Sequence, residues 1–205
     1  MTNISVKFVS KVFIAFVLLS INTISFAALQ ELINSGFYVP GSSKLIESKF
    51  ADLNGDGKED VIFVTENLNE NKNATEIERE SFVKGQRTAT ILIRGDDGKL
   101  IKAVENKYVY FCRKCLGSSS SSEQNISITR LGFNILNKGG SPRYRWDRKY
   151  SFSYDTKTTS WLLKKVETSV MDTTNASKFI SKKFHPRKKI DFSSFTADPR
   201  WDAKF

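Results

Sequence analysis

The chain has little of what most active sites are made from. It holds one histidine and two cysteines in 205 residues. A closed zinc site takes four ligands from such residues, so the chain does not fill one alone. Two cysteines allow one internal disulfide at most, which excludes a disulfide framework. The single histidine, His185, sits in KFHPRKK with no nucleophile elbow or paired acid beside it. That context points to a solvated basic tail rather than to a catalytic base or triad member. After residue 27 no run approaches the roughly 20 apolar residues that a helix needs to cross a bilayer. No repeat of propeller or solenoid length is found either.

One apolar run is present, at the start. Lys7 and Lys11 form a basic region, residues 12 to 21 (VFIAFVLLSI) an apolar one, and Ser25 and Ala27 a small-x-small pattern. This is the pattern of a secretory signal peptide over 1–27, cut after Ala27, and it predicts a periplasmic or secreted protein. Ala28, not Cys, would follow the cut, so no lipid anchor is expected. The remaining 178 residues suit one domain with a real core.

The formal charge of the whole chain is +10. Two of the 32 basic residues and none of the 22 acidic ones lie in 1–27, which leaves 30 against 22, or +8. Such an excess favours anionic partners: a membrane surface, a cell-wall polymer, nucleic acid or an acidic protein. The charge is also uneven. Residues 47 to 80 hold ten acidic side chains, whereas 138 to 149 and 178 to 189 are basic. If these regions fold apart, the molecule has an acidic end and a basic end.

Local patterning is that of β-structure. LQELINS (29–35), followed by Gly36, suits one short helix, and Pro40-Gly41 marks a turn. VIFV (61–64) reads as a strand, and 67–80 as a polar loop. TATILIR (88–94) and KLIKAVEN (99–106) flank Gly95-Asp96-Asp97-Gly98, a hairpin signal. YVYF (108–111), ISITR (126–130), GFNILN (132–137), RKYSFSYD (148–155) and SWLLKKVETSV (160–170) continue the series, with a Ser-rich flexible loop at 116–124 and a turn at Gly139–Pro142. The expected fold is mainly β: one antiparallel, sandwich-like domain over 28–170 with a short N-terminal helix. Residues 171–205 then form a basic C-terminal extension beyond the sheet, either packed on it or loose.

The richest motif is ADLNGDGKEDVIFV (51–64). Calcium takes six to eight hard oxygen ligands from a flexible loop. Asp52, Asn54, Asp56 and Asp60 stand at positions 1, 3, 5 and 9, the Lys58 carbonyl at 7, and Gly57 at the sharp turn of position 6. Phe63 replaces the closing Glu of an EF-hand, and the flanks are not helical. The bland alternative is an Asx-rich turn that satisfies its own backbone. The loop resembles the D-x-N-x-D-G-x-x-D loops of the FG-GAP and VCBS type, which repeat around a propeller; this chain has one copy. Residues 45 to 170 also resemble small exported bacterial β-rich proteins, through this loop, ILIRGDDGKLIKAVEN, a CxxC segment, GGS before PRYRW, and WLLKKVE. That resemblance implies a periplasmic β domain and no particular activity. The CRKCLGSSSSS segment and the tail after 171 depart from the pattern.

Two further stretches carry chemistry. Cys112 and Cys115 (CRKC) suit a disulfide closing a small loop; a redox pair would want a helix after the first Cys, and LGSSSSS is not one. Arg143, Tyr144, Arg145, Trp146 and Arg148 in SPRYRWDRK form a possible binding surface. On a strand, however, 144, 146 and 148 share one face, and the ordinary outcome is aromatics in the core with arginines in water. Export argues against nucleic acid as the partner. N-x-S/T sites at Asn73, Asn125 and Asn175 would matter only in a eukaryotic secretory route.

With no catalytic constellation, the sequence points to a non-enzymatic envelope or secreted binding protein with a structural calcium. An inhibitor or immunity protein is one such form. The alternatives are a calcium-dependent hydrolase acting on cell-wall or polysaccharide substrates, and a polyanion-binding envelope protein.

Overall fold

A computed structural model describes residues 42–67, 87–110 and 125–197. The expected signal peptide and N-terminal helix, the polar loop at 68–80, the CRKC pair and the Ser-rich loop lie outside them. The described residues form two antiparallel sheets. In the first, β1 (Ser43–Ala51), β2 (Asp60–Asn67), β3 (Arg87–Arg94) and β4 (Leu100–Asn106) lie in chain order. The second has β5 (Asn125–Thr129), β6 (Gly132–Gly140), β7 (Tyr144–Asp155), β8 (Ser160–Asp172) and β9 (Asn175–Phe184), also in order. The mainly β, antiparallel, sandwich-like expectation is what the chain adopts, and no helix among the described residues is long and apolar enough to cross a membrane.

Period-2 alternation explains how the sheets meet. Ile62 and Val64 of β2 and Ala89 and Ile91 of β3 face Phe133 and Ile135 of β6, Tyr150 and Phe152 of β7, and Leu163 and Val166 of β8 in one buried cluster. The opposite face of β2 and β3 is also buried at Val61, Phe63 and Leu92. That burial explains why VIFV is an unbroken apolar run rather than an alternating one.

Four details differ from the sequence reading. First, β1 is a strand although its pattern hid it. Its register slips between Leu45 and Glu47, and the extra residue, Ile46, stands exposed. Second, Val109 and Tyr110 are buried without forming a strand: the Asn106 Oδ1 accepts from the Tyr108 N–H at 2.6 Å and bends the chain just after β4. Third, Gly139 and Gly140 belong to β6, and the turn falls at 141–143.

Fourth, no boundary falls at residue 170. β8 runs on to Asp172, and β9 follows within the same sheet. The chain then returns toward the core. The Leu163 N–H donates to the Ile190 carbonyl at 2.9 Å, and the Ala197 N–H to the Tyr108 carbonyl at 2.9 Å. Between these points a single 3-10 turn, Phe192–Ser194, is capped by Asp191, whose carboxylate accepts from the Ser193 N–H at 2.8 Å. Phe192 packs edge-on against Phe133 and Phe152, and Phe195 against Tyr150 and Phe152, with ring centroids 4.8 to 5.4 Å apart. The buried Asn106 amide donates to the carbonyls of Phe192 and Phe195. The end of the supposed extension is therefore part of the core.

Candidate functional site

Antiparallel order places the β1–β2 and β3–β4 connections at one end of the first sheet, and the β5–β6 and β7–β8 connections at one end of the second. Contacts across the core show that these are the same end. The Trp161 indole N–H, at the start of β8, donates to the Leu53 carbonyl at 3.0 Å. A Cβ added to Gly55 would lie 3.1 Å from Leu131, in the β5–β6 turn. The 52–60 loop thus caps this end. The 141–143 and 173–174 turns, with the residues around Arg143, are at the other.

The loop is wound on its own carboxylates. Asp52 accepts from the Gly55 N–H at 2.7 Å and the Gly57 N–H at 3.0 Å. The Asn54 Oδ1 accepts from the Asp56 N–H at 3.0 Å, and the Asp56 Oδ1 from the Lys58 N–H at 2.9 Å. Gly55 and Gly57 hold φ near +83° and +84°, a region that costs other residues energy. Leu53, fully buried, anchors the loop in the core. Asp60 is buried as well, and its two oxygens accept from the Leu53 N–H at 3.0 Å and the Arg94 N–H at 2.9 Å, tying the loop to the end of β3.

The charges there are in tension. Burial pushes the Asp60 carboxyl above its ordinary value, its two N–H donors pull it back, and the charges of Asp56 and Asp52 push it up again. Lys58 answers part of this. Its ammonium lies 2.5 Å from Asp96 and 3.9 Å from Asp56, and its own pKa is raised chiefly by the Asp96 contact. All five expected calcium ligands are therefore in one loop, but oxygens of the four side chains, Asp52, Asn54, Asp56 and Asp60, are turned to backbone donors. Among the described residues, no three His, Cys, Asp or Glu side chains are gathered as a metal cluster. The donor set is nevertheless of the hard-oxygen kind that calcium takes, and an oxygen with one hydrogen bond keeps a second lone pair.

The other end is apolar and basic. The Arg143 guanidinium lies 3.3 Å from the buried Asp172 carboxylate and 5.2 Å from the Tyr144 ring centre. Asp172 is held below its ordinary pKa, first by the Thr174 hydroxyl and also by Arg143. The Thr173 N–H donates to the Arg143 carbonyl at 2.7 Å, so the two turns are laced together. Trp146 lies over Gly139, where a Cβ would come within 2.4 Å of the indole. Tyr144 is 45% exposed. Of the five residues expected to form one surface, Arg148 does not join it. The parity that brings Trp146 toward the sheet carries Arg148 into the interior, 2% exposed, beside Asn137 and Thr168 on the neighbouring strands, which are also buried. His185 is on the far side of β8, its Nδ1 3.1 Å from the Lys164 carbonyl.

Sequence reasoning missed what completes this end. The register aligns Arg145 with Met171 and Met171 with Phe179, and Val170 with Ile180. Met171, Phe179 and Ile180 are 39%, 57% and 46% exposed. Alternation gives no hint of them, because both faces of β9 meet water there. Compared with protein families, with curated proteins and with solved structures, the chain matches none.

Proposed function

We propose that this is a non-enzymatic binding protein of the periplasm or the secreted space. It engages a protein partner through the basic, apolar end of β7–β9, and the acidic loop serves as scaffold. One observation supports this most. Four of the eight large apolar side chains exposed among the described residues lie near one end of three adjacent strands, Met171 and Phe179 on one face with Arg145, and Tyr144 and Ile180 on the other. Exposed apolar side chains gathered with Arg and Tyr are the composition of interface centres. An inhibitor or immunity protein would use such a surface.

In this reading Asp52, Asn54, Asp56, Asp60 and the Lys58 carbonyl hold a structural calcium ion. The ion would offset the mutual repulsion of the carboxylates and fix the start of β2. The test is affinity capture from envelope extract, with calcium and with chelator, by the protein and by Arg145→Glu/Met171→Glu. One stoichiometric protein captured in both conditions and lost with the double variant supports the proposal. Equal capture by the variant overturns it. Capture of anionic polymer alone, falling steeply with salt, favours polyanion binding instead.

A further inference from the structure

We propose that the outer edge of β9 is a strand-addition site, and that its occupant is an extended acidic segment of a protein partner. The inference rests on the reading above and names the way the partner is held.

Two sheets have four edges, and three are engaged. β1 and β5 meet each other, where the Ile126 N–H donates to the Glu47 carboxylate at 3.0 Å. β4 is flanked by the returning 192–197 segment, through Asn106 and through the Ala197 N–H on the Tyr108 carbonyl. β9 ends its sheet with no described strand beyond it, and every residue from 177 to 183 is exposed. An edge of this kind presents a row of backbone donors and acceptors to any extended chain.

The side chains state which chain. Lys178, Lys182 and Lys183 lie on β9, Arg187, Lys188 and Lys189 follow, and no acidic residue falls between 175 and 190. The face behind adds to this: Glu167 alone is shared by Lys149 at 2.7 Å, Lys165 at 3.2 Å and Lys183 at 3.7 Å, so two positive charges remain there. A second copy of β9 is a poor occupant. Antiparallel self-pairing about Ile180 sets Lys178 opposite Lys182, and like charges placed so destabilise. Edge lysines often serve only to repel other strands. An edge built only to repel would not leave Phe179 and Ile180 in water between them, one on each face, at 57% and 46% exposure. An incoming strand of alternating acidic and apolar residues would set carboxylates against Lys178 and Lys182 on one face and apolar groups against Phe179 on the other.

The test uses a ten-residue peptide of alternating Glu and Val, and the same peptide with alternate backbone nitrogens methylated. Methylation keeps the charge and removes the donors that pair with an edge. The expected result is saturable binding of the first peptide, slowed amide exchange confined to β9, and binding at least tenfold weaker for the methylated peptide and for Lys178→Glu/Lys182→Glu. Equal binding of both peptides would overturn the proposal, since charge alone would then account for it. No binding of either peptide also overturns it. In that case, a partner still captured from envelope extract and lost with Arg145→Glu/Met171→Glu would leave the binding function standing by another mode. Loss of both would remove both.

Discussion

At the end of the sandwich where β1 meets β2, polar side chains turn inward and bind their own backbone. At the end where β8 meets β9, apolar side chains stand in water near Arg143, Arg145 and Lys178. The described turns at both ends join antiparallel neighbours; what differs among the described residues is where hydrogen bonding is completed. The acidic loop satisfies its backbone internally, through Asp52, Asn54, Asp56 and Asp60. The β9 edge has no described strand beyond it. A closed end suits a scaffold, and an open one suits contact.

The comparison breaks most sharply at Asp60. Asp60→Ala strands the Leu53 and Arg94 N–H groups, and should cost about 3 kcal/mol in urea unfolding. An effect under about 0.5 kcal/mol would mean that the loop end is not closed by this residue. Calcium comes next. At a hundredfold excess over its Kd it should stabilise the protein by about 2.7 kcal/mol, raising the thermal midpoint, with the rise abolished by chelator and by Asp56→Ala. Unchanged midpoints would leave the loop as a self-bonded turn.

Gly139→Val should displace the Trp146 indole, at about 1–3 kcal/mol, and abolish partner capture while far-ultraviolet circular dichroism stays native. Retained capture would remove Trp146 from the surface. Gly57→Ala meets no atom within 4 Å, so only its backbone angle resists the change, at about 1 kcal/mol in the same unfolding assay.

The smallest effect concerns Glu167, whose pKa is lowered from the ordinary 4.5, first by Lys149 and then by Lys165. A lowered carboxyl contributes stability above its unfolded pKa and loses it as the pH falls through the folded one. Stability measured from pH 6 downward should therefore fall less steeply, below about 4.5, in Glu167→Gln than in the natural chain. Identical slopes would mean that the three lysines do not act on it.

Much of the fold was legible. RKYSFSYD and GFNILN could be read as strands, and Gly95-Asp96-Asp97-Gly98 as a hairpin turn. β9 was not legible, because a strand exposed on both sides has no alternation to show. β1 hid behind the bulge at Ile46, which breaks the period of two. At the candidate site, the loop could be read from spacing, but the direction in which its oxygens point depends on folding. Arg148 shows the reverse case: the parity argument predicted its face, and grouping it with its charged neighbours did not.

Phe192 and Phe195 carry one more consequence. They fill the space between Phe133, Tyr150 and Phe152, yet they come late in the chain. Until that segment has been made, the aromatic centre has a gap on one side and β4 lacks the neighbour that Asn106 holds. A chain emerging from its N-terminus can form hairpins early, but it cannot finish its core early. Such an order makes a late-made segment the one that commits the chain to the folded state.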